Sequence, residues 1–231
     1  MATLTWLGHS AFLVESDRGS RIYVDPFLTG NPKTPDDART PERVDAICIT
    51  HGHSDHVGDA VELVKRFPSA QLVCQVEIKA WLARKGLAVG DAHGLNKGGR
   101  VEVDGVTYGL VNAFHSSSSD EGEYLGEPCG LVIRLEEGKT VYFAGDTCVF
   151  GDMALIRRLW EPDYAVLPIG DYFTMGPREA AVAVELLGNP RVVPCHFGTF
   201  PILRGTPDEL RREKPDADVV SLEPGGTVEL V

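Results

Sequence analysis

Short apolar runs alternate with polar turns over the first 50 residues and predict β-strands. The segments TLTWLG (3–8), AFLVES (11–16) and RIYVDPF (21–27) are rich in β-branched and aromatic residues and are separated by Gly, Ser and Asp. VDAICIT (44–50), with the apolar run AICI at its centre, is typical of a buried strand. The intervening segment 28–42 has three prolines and no apolar period, which predicts a connecting loop or an active-site flap.

From residue 58 onward, apolar positions at helical spacing alternate with further strand-like runs. Two hairpins are predicted, one over 99–115 that turns at Asp104-Gly105 and one over 129–147 that turns at Glu137-Gly138. Thr206 before Pro207 predicts the start of the last helix. The pattern predicts helices over 58–67, 76–86, 153–160, 177–188 and 206–214, and strands over 70–75, 164–169, 191–198, 218–222 and 226–230.

The order of these elements is β-rich, then α/β, then β-rich and α/β again. It predicts an α/β protein in which two mixed sheets pack face to face with helices outside. A length of 231 residues lies within the range of one domain, so we expect a single domain over 1–231.

Composition and charge narrow the class of protein. The net charge of −12 argues against a nucleic-acid partner, because duplex affinity depends on Lys and Arg neutralising phosphates. The N-terminus has no basic region followed by a long apolar core, and no apolar run approaches the roughly 20 residues of a membrane span. The five cysteines are odd in number and form no C-x-x-C pair, which suits a reducing compartment. The sequence therefore predicts a soluble cytoplasmic protein.

The segment ITHGHSDHVGDA (49–60) carries the most informative chemistry. It holds His51, His53, Asp55 and His56, whereas the whole chain has seven histidines. Side chains two apart point the same way only on an extended backbone, which the preceding strand supplies for His51 and His53. We expect Asp55 to continue this alternation and His56 to point elsewhere. Two groups of ligands with different directions suit two adjacent metal ions better than one.

Three further candidates stand where predicted strands end. They are His115, Asp146 in FAGDT and His196 in VVPCHFG. Sites on rigid sheets form at strand ends and in the loops that follow them. A solvated polar loop and a closed structural zinc site are the alternatives, but the additional ligands oppose the first and the lack of a Cys-rich set opposes the second.

H-x-H-x-D-H, followed by a distant His, an Asp and a final His, resembles the pattern of the metallo-β-lactamase superfamily. LGHSAF, GLNKGG, AFHSSSS, FAGDT, LPIGDYFTMGPREAA and CHFGTFP together resemble one branch of it, the small metal-dependent hydrolases related to L-ascorbate-6-phosphate lactonases. The resemblance covers nearly the whole chain and implies a four-layer αββα sandwich.

The resemblance also implies a dinuclear site and the role of each ligand. The first metal would be held by His51, His53 and His115, and the second by Asp55, His56 and His196, with Asp146 bridging. Imidazole and carboxylate ligands suit two divalent ions, Zn²⁺ first, with Mn²⁺ or iron as alternatives. The diiron flavoprotein branch typically has Glu at the position of His53, which disfavours redox chemistry.

Such a site would carry a small positive charge, because two divalent ions outweigh Asp55, Asp146 and a bridging hydroxide. It would accept a phosphate or carboxylate, and its metal-bridged hydroxide would attack an ester-like bond. Asp55 would also orient, or deprotonate, the attacking water. The resemblance therefore implies hydrolysis of a lactone, phosphoester or amide in a small or medium-sized substrate, anionic substrates included.

Other residues are weaker candidates. His9, Asp25, Asp171 and Thr174 are expected beside the metal ligands or the substrate, with Asp25 supporting the metal loop. The loop over 116–128 is either a solvated loop or a substrate gate, Cys148 and Cys195 are expected to pack beneath the site, and His93 is expected to be structural. A nuclease or phosphodiesterase acting on RNA or nucleotides, and a non-catalytic metal- or ligand-binding protein, stay as alternatives. The sequence leaves the oligomeric state open, a homo-oligomer included.

Overall fold

Two mixed β-sheets organise the chain in the computed structural model, which describes residues 1–89 and 92–231. The first sheet has the order β13-β1-β2-β3-β4-β5-β6, antiparallel from β13 to β3 and parallel from β3 to β6. Its strands are β1 Thr3–Trp6, β2 Phe12–Glu15, β3 Arg21–Val24, β4 Ala46–Cys48, β5 Gln71–Gln75, β6 His93–Leu95 and β13 Thr227–Glu229.

The second sheet has the order β12-β11-β10-β9-β8-β7. Its strands are antiparallel from β7 to β10 and parallel from β10 to β12. They are β7 Arg100–Val103, β8 Val106–Asn112, β9 Cys129–Arg134, β10 Thr140–Phe143, β11 Tyr164–Pro168 and β12 Arg191–Cys195.

Six helices and one 3₁₀ turn complete the described fold. They are the 3₁₀ turn Asp36–Ala38, α1 Ser54–Val57, α2 Ala60–Arg66, α3 Val76–Arg84, α4 Met153–Trp160, α5 Pro177–Leu186 and α6 Pro207–Glu213. None of the helices in the described parts of the chain has the length and apolar character needed to cross a membrane.

Alternation along the strands explains the layers. Phe12 and Val14 of β2 pack into the apolar cluster that joins the two sheets, whereas Leu13 packs into the cluster beneath α2 and α3. In β10, Phe143 likewise faces the other sheet and Tyr142 faces α4 and α5. Successive strand residues point to opposite faces, so a strand that is apolar throughout must be covered on both. The predicted four-layer αββα arrangement is confirmed.

Local signals also predicted several turns correctly. Asp104 and Gly105 both have positive φ, 52° and 86°, as the two-residue turn between β7 and β8 requires. Thr206 caps α6: its Oγ1 accepts from the Glu209 backbone at 3.3 Å, and the Glu209 carboxylate accepts from the Thr206 backbone at 2.9 Å.

Two local predictions were wrong. Residues 218–222 do not form a strand; only Val219 forms a parallel bridge with Val192, after which the segment leaves the sheet edge. The apolar side chains of the segment are partly buried against the core, but its backbone pairs with β12 only around Val219. The extended alternation expected through Asp55 also ends early, because α1 begins at Ser54.

Candidate metal centre

The chemistry-bearing residues lie where strands of both sheets end. His51 follows β4 by three residues, His115 follows β8, Asp146 follows β10 and His196 comes directly after β12. In parallel arrangements the carboxyl ends of strands meet at one edge, which is where sites normally form in α/β sheets. This edge gathers six of the seven histidines of the chain.

One group of potential ligands is His51, His53 and His115, whose ligand atoms all lie within 4.8 Å of one another. His51 Nε2 and His53 Nδ1 are 3.0 Å apart. Two nitrogens on one tetrahedral zinc would be separated by about 3.4 Å, given Zn–N bonds near 2.05 Å. The spacing of these three side chains therefore suits a shared metal ion.

A second group contains Asp55, His56 and His196, again within 4.8 Å, and it also includes His9. Asp146 lies between the two groups. Its carboxylate oxygens are 3.3 Å from His56 Nε2, 3.6 Å from His115 Nε2 and 3.1 Å from His196 Nε2. The structure thus brings together all seven residues that the sequence singled out as ligands.

The unpaired atoms at this point test whether the residues fit a metal. His56 Nε2, Asp146 Oδ1 and His196 Nε2 are buried and have no hydrogen-bond partner among the described residues, although they lie close to one another. Buried polar atoms are normally paired, and leaving several unpaired in one place is costly. Converging imidazole and carboxylate lone pairs are the donor set that zinc, manganese or iron binds, so the residues fit a metal centre.

Asp25 and Thr50 orient two of these imidazoles. Asp25 Oδ2 accepts from His56 Nδ1 at 2.7 Å and from the Thr50 hydroxyl at 2.7 Å, while its Oδ1 accepts from the Thr50 backbone at 2.8 Å. His51 Nδ1 is 3.0 Å from the same hydroxyl and donates to it, since the hydroxyl proton is given to Asp25. In the neutral form of each ring the lone pair is therefore on Nε2, the nitrogen that would bind a metal.

Electrostatics gives most of the cluster the protonation states that metals need. Burial lowers the pKa values of His51, His53 and His115, so these imidazoles are neutral at pH 7. Burial opposes ionisation of Asp146, but His196 and His56 outweigh it and hold its pKa well below the usual value. Deprotonated ligands are the metal-binding forms.

His56 behaves differently from the other imidazoles. Burial alone would lower its pKa, but Asp146 and Asp25 on either side overcome burial and raise the pKa well above the usual value. We expect metal binding here to release this proton.

His9 belongs to the same cluster. It is fully buried, and its Nε2 donates to Asp55 Oδ2 at 3.0 Å. Burial, which outweighs the Asp55 contact, lowers the pKa of His9 to about 4, so the ring stays neutral. Its ring centroid is 4.1 Å from that of His196, and its carbonyl accepts from the His196 backbone at 3.0 Å. Burial opposes ionisation of Asp55 too, but the His9 contact helps to lower the pKa of Asp55.

The other weak candidates have mixed outcomes. Asp171 is exposed and accepts from the Tyr172 backbone, and the Thr174 hydroxyl donates to the Met175 carbonyl. Neither side chain lines the cavity over the histidines; Phe173, which lies between them, does. Cys195 is buried in the intersheet core, as expected, but the expectation for Cys148 was wrong because its side chain is exposed. His93 lies in β6 and contacts Gln71 at 3.1 Å, which fits a structural role.

The cavity over the histidines has a volume of about 380 Å³ and is bounded on one side by the loop 116–128. Ser117 ties this loop to the ligand segment: its hydroxyl accepts from the Gly52 backbone at 3.0 Å and donates to the Leu125 carbonyl at 3.3 Å. A larger cavity of about 470 Å³ between α4 and the second sheet contains none of the predicted ligands.

Sequence reasoning did not single out Thr50 or Ser117, and it considered Phe173 only as a residue that packs inward with Met175; Met175 is buried, but Phe173 is exposed. Only the positions of Thr50, Ser117 and Phe173 in the sequence could have indicated a role. Thr50 precedes His51, and Ser117 lies two residues after His115. Phe173 lies in the same motif as the candidates Asp171 and Thr174.

Gly170 offers a direct test of how the fold holds His196. A Cβ on Gly170 would lie 2.0 Å from the His196 carbonyl oxygen, so Gly170→Ala must displace the backbone of this ligand. We expect a loss of about 1–3 kcal/mol in the free energy of unfolding and weaker metal binding. Denaturant unfolding and metal titration measure the two effects. Gly151→Ala is the control, because its Cβ would meet nothing within 4 Å; equal behaviour of the two variants would contradict the prediction.

The αββα sandwich and the His/Asp cluster at its strand ends define a class of metalloprotein, and the comparisons agree with it. Residues 20–197 match a family model described as "Beta-lactamase superfamily domain", and the chain therefore belongs to this superfamily. Within it, the chain belongs to the family of proteins named UPF0173 metal-dependent hydrolases. The resemblance seen in the sequence motifs is confirmed.

Two relatives and one solved structure illustrate the match. The UPF0173 metal-dependent hydrolase of Thermococcus kodakarensis is 47% identical over 234 residues and covers 100% of both chains. That of Koribacter versatilis is 45% identical over 227 residues, covering 97% of this chain and 96% of its own. The solved structure of Igni18, a metallo hydrolase from Ignicoccus hospitalis, is 38% identical with a TM-score of 0.86, covering 98% of this chain and 97% of that one.

Proposed function

We propose that this protein is a dinuclear metal-dependent hydrolase that acts in the cytoplasm on a small or medium-sized substrate with an ester-like bond, and that residues 1–231 work as one catalytic domain. The observation that supports it best is Asp146, a buried carboxylate within 3.6 Å of three imidazoles, with lone pairs that lack hydrogen-bond partners. The names of the relatives, metal-dependent hydrolases, point to the same chemistry.

The ligand assignment follows the two groups of side chains. His51, His53 and His115 would hold one metal, and Asp55, His56 and His196 the other, with Asp146 shared between them. Zn²⁺ suits this donor set best, and Mn²⁺ or iron is an alternative. When bound, divalent metals supply an activated water at neutral pH and a Lewis acid for the scissile bond.

The residues of the chain position these groups. His9 donates a hydrogen bond of 3.0 Å to Asp55 Oδ2. Because this bond fixes the carboxylate, it also fixes the direction of the other oxygen of Asp55. Asp55 is one-third exposed at the cavity, whereas Asp146 is almost fully buried. Of the two predicted carboxylate ligands, Asp55 therefore has access to water and substrate, and we assign it the orientation of the attacking water.

The Asp55→Asn variant tests this function. We expect wild-type protein loaded with zinc to hydrolyse at least one member of a panel of esters, lactones and phosphodiesters. The variant should lose about 100-fold in kcat, since general acid–base groups contribute about 10²–10⁴-fold. It should keep the metal held by His51, His53 and His115 and bind the other metal more weakly, because Asp55 is one of the proposed ligands of that metal. Metal analysis by mass spectrometry accompanies the kinetics. A protein that holds near-stoichiometric metal yet hydrolyses nothing on the panel would contradict the proposal and favour a non-catalytic metal-binding role.

A further inference from the structure

The two sides of the metal-site cavity differ in chemistry. One side is the start of the loop 116–128, which contributes the hydroxyl side chains of Ser116, Ser118 and Ser119 and the carboxylate of Asp120. Phe173, in the loop between β11 and α5, also lines the cavity. No Lys or Arg is among the described residues that line this cavity. Beyond the predicted metal ligands, the walls are therefore hydroxyl-rich, acidic and aromatic.

Phe173 is displayed at the cavity by a strained turn. Asp171 and Tyr172 both have left-handed backbone, with φ of 64° and 61°. Such conformations in residues other than glycine cost on the order of 1 kcal/mol each and persist only where the surroundings impose them. Here the Phe173 amide donates to the Asp171 carbonyl at 2.7 Å, and the Met175 amide donates to the Thr147 carbonyl, next to Asp146, at 3.0 Å.

The result is an aromatic platform beside the metal ligands. Phe173 is 55% exposed and Tyr172 is 67% exposed, and their rings meet edge to face at 4.7 Å. Phe173 is the one apolar side chain among the described residues that line this polar cavity, and an exposed aromatic ring in that place is suited to ligand contact. The face of a phenyl ring packs well against planar or apolar groups of a ligand.

The charge of the cavity walls limits which substrate group can lie along the serine wall. The protein has a net charge of −12, and Asp120 lies close enough to His53 to influence its pKa. An anionic group lying along the serine wall would face Asp120 with no cationic side chain to balance it. A hydroxyl or amide there would instead find hydrogen-bond partners in Ser118 and in Ser116, whose hydroxyl lies 3.3 Å from His53 Nε2; the Ser119 hydroxyl accepts from the Glu123 backbone.

We propose that the substrate class of this site is an uncharged ester or lactone with a planar apolar group that packs on Phe173 and a neutral hydrogen-bonding group that lies along the serine wall. Asp120 selects against substrates that carry a second anionic group at that end. Water cleaves the acyl C–O bond, releasing an acid and an alcohol or phenol. The inference rests on the proposed hydrolase function and adds Phe173 and Asp120 as residues that determine specificity.

Matched esters test the two walls on zinc-loaded protein. The phenyl ester of 6-hydroxyhexanoic acid carries both features, its ethyl ester lacks the ring, and monophenyl adipate replaces the hydroxyl by a carboxylate. We expect Phe173→Ala to raise KM for the phenyl ester about tenfold and to change KM for the ethyl ester much less, with Phe173→Leu in between.

Asp120→Asn should raise kcat/KM for monophenyl adipate about tenfold relative to the hydroxyhexanoate ester, because a near-surface like-charge repulsion is removed.

A non-hydrolysable probe separates binding from turnover. In 7-hydroxy-1-phenylheptan-2-one a methylene replaces the ester oxygen, and calorimetry gives its Kd. Phe173→Ala should raise this Kd about tenfold, whereas Leu159→Ala on α4 and Asp37→Asn, exposed and away from the cavity, should not change it. Ketone binding that depends on Phe173, without hydrolysis of any ester, would support the substrate class and overturn the hydrolase function.

Other outcomes overturn the inference itself. If esters are hydrolysed but Phe173→Ala affects phenyl and ethyl esters equally, Phe173 does not contact the substrate. If Asp120→Asn leaves the preference between monophenyl adipate and the hydroxyhexanoate ester unchanged, the acidic wall does not select. A Phe173→Ala variant whose oligomeric state changes in size-exclusion chromatography while its ester preference stays constant would assign the ring to an interface between copies.

Discussion

Asp146→Asn is expected to reduce hydrolysis on the order of 1,000-fold, equivalent to about 4 kcal/mol of transition-state stabilisation, and to leave at most one metal per chain. Asp146 lies within 3.6 Å of imidazoles from both ligand groups. The amide that replaces it keeps the shape but loses the charge, and its NH₂ group presents protons where a ligand should present a lone pair. Metal content and steady-state kinetics measure the two effects.

Asp163→Asn is the matched control for this variant. Asp163 lies on the same sheet between α4 and β11, where its carboxylate accepts from the Thr140 backbone at 2.9 Å, at the opposite end of β10 from Asp146. We expect it to lose some stability but to keep metal and activity. An Asp146→Asn protein with two metals and wild-type turnover would refute the shared position of Asp146 and, with it, the dinuclear arrangement.

The fold could be predicted largely because its strands are marked by apolar runs and by the turn residues between them. The runs AICI (46–49) and AVLPI (165–169) are apolar throughout, and this pattern is found where both faces of a sheet are covered. The hairpin turns were equally direct, since Asp104-Gly105 permits the positive φ of both residues. The segment 218–222 has a comparable composition, but composition does not show that a strand has only one neighbour to pair with and leaves it after Val219.

The ligand set could be predicted because its members stand at strand ends, and strand ends follow from apolar runs. The local geometry of the motif could not. His53 has an extended backbone, as expected, but it is the residue before α1, and Asp55 and His56 lie on that helix. A four-residue helix has no period to detect, so the separation of the two ligand groups arises from a turn that the sequence does not reveal.

Partners that are distant in sequence were the hardest to find. His9 meets Asp55 across 46 positions, and its role became visible only through the 3.0 Å contact. Thr50 has an ordinary place at the end of an apolar run, yet its hydroxyl links His51 to Asp25. Phe173 was hidden by the polar residues beside it, because sequence reasoning favours titratable and hydroxyl side chains at a site over an exposed ring.

Asp25→Asn is expected to weaken metal binding on the order of 100- to 1,000-fold, since losing one orienting partner of a ligand typically costs about 10–100-fold and Asp25 orients two. It accepts directly from His56 Nδ1 and, through the Thr50 hydroxyl, fixes His51 as well. These two ligands belong to different groups, so both metals should be affected. Both oxygens of the Asp25 carboxylate accept hydrogen bonds, whereas an amide has one acceptor oxygen and an NH₂ group. The NH₂ group would face a hydrogen-bond donor, so at least one contact must break.

Metal titration against a competing chelator gives the affinity, and denaturant unfolding with and without zinc gives the linked stability. We expect the zinc-dependent gain in the free energy of unfolding to shrink by about 1.4 kcal/mol for each tenfold loss in affinity. Asp59→Asn is the control: its carboxylate accepts from the backbones of Leu28 and Thr29 in the same loop as Asp25, but it contacts no predicted ligand. If the two variants lose stability equally and both keep wild-type zinc affinity, Asp25 holds the loop and does not orient the ligands.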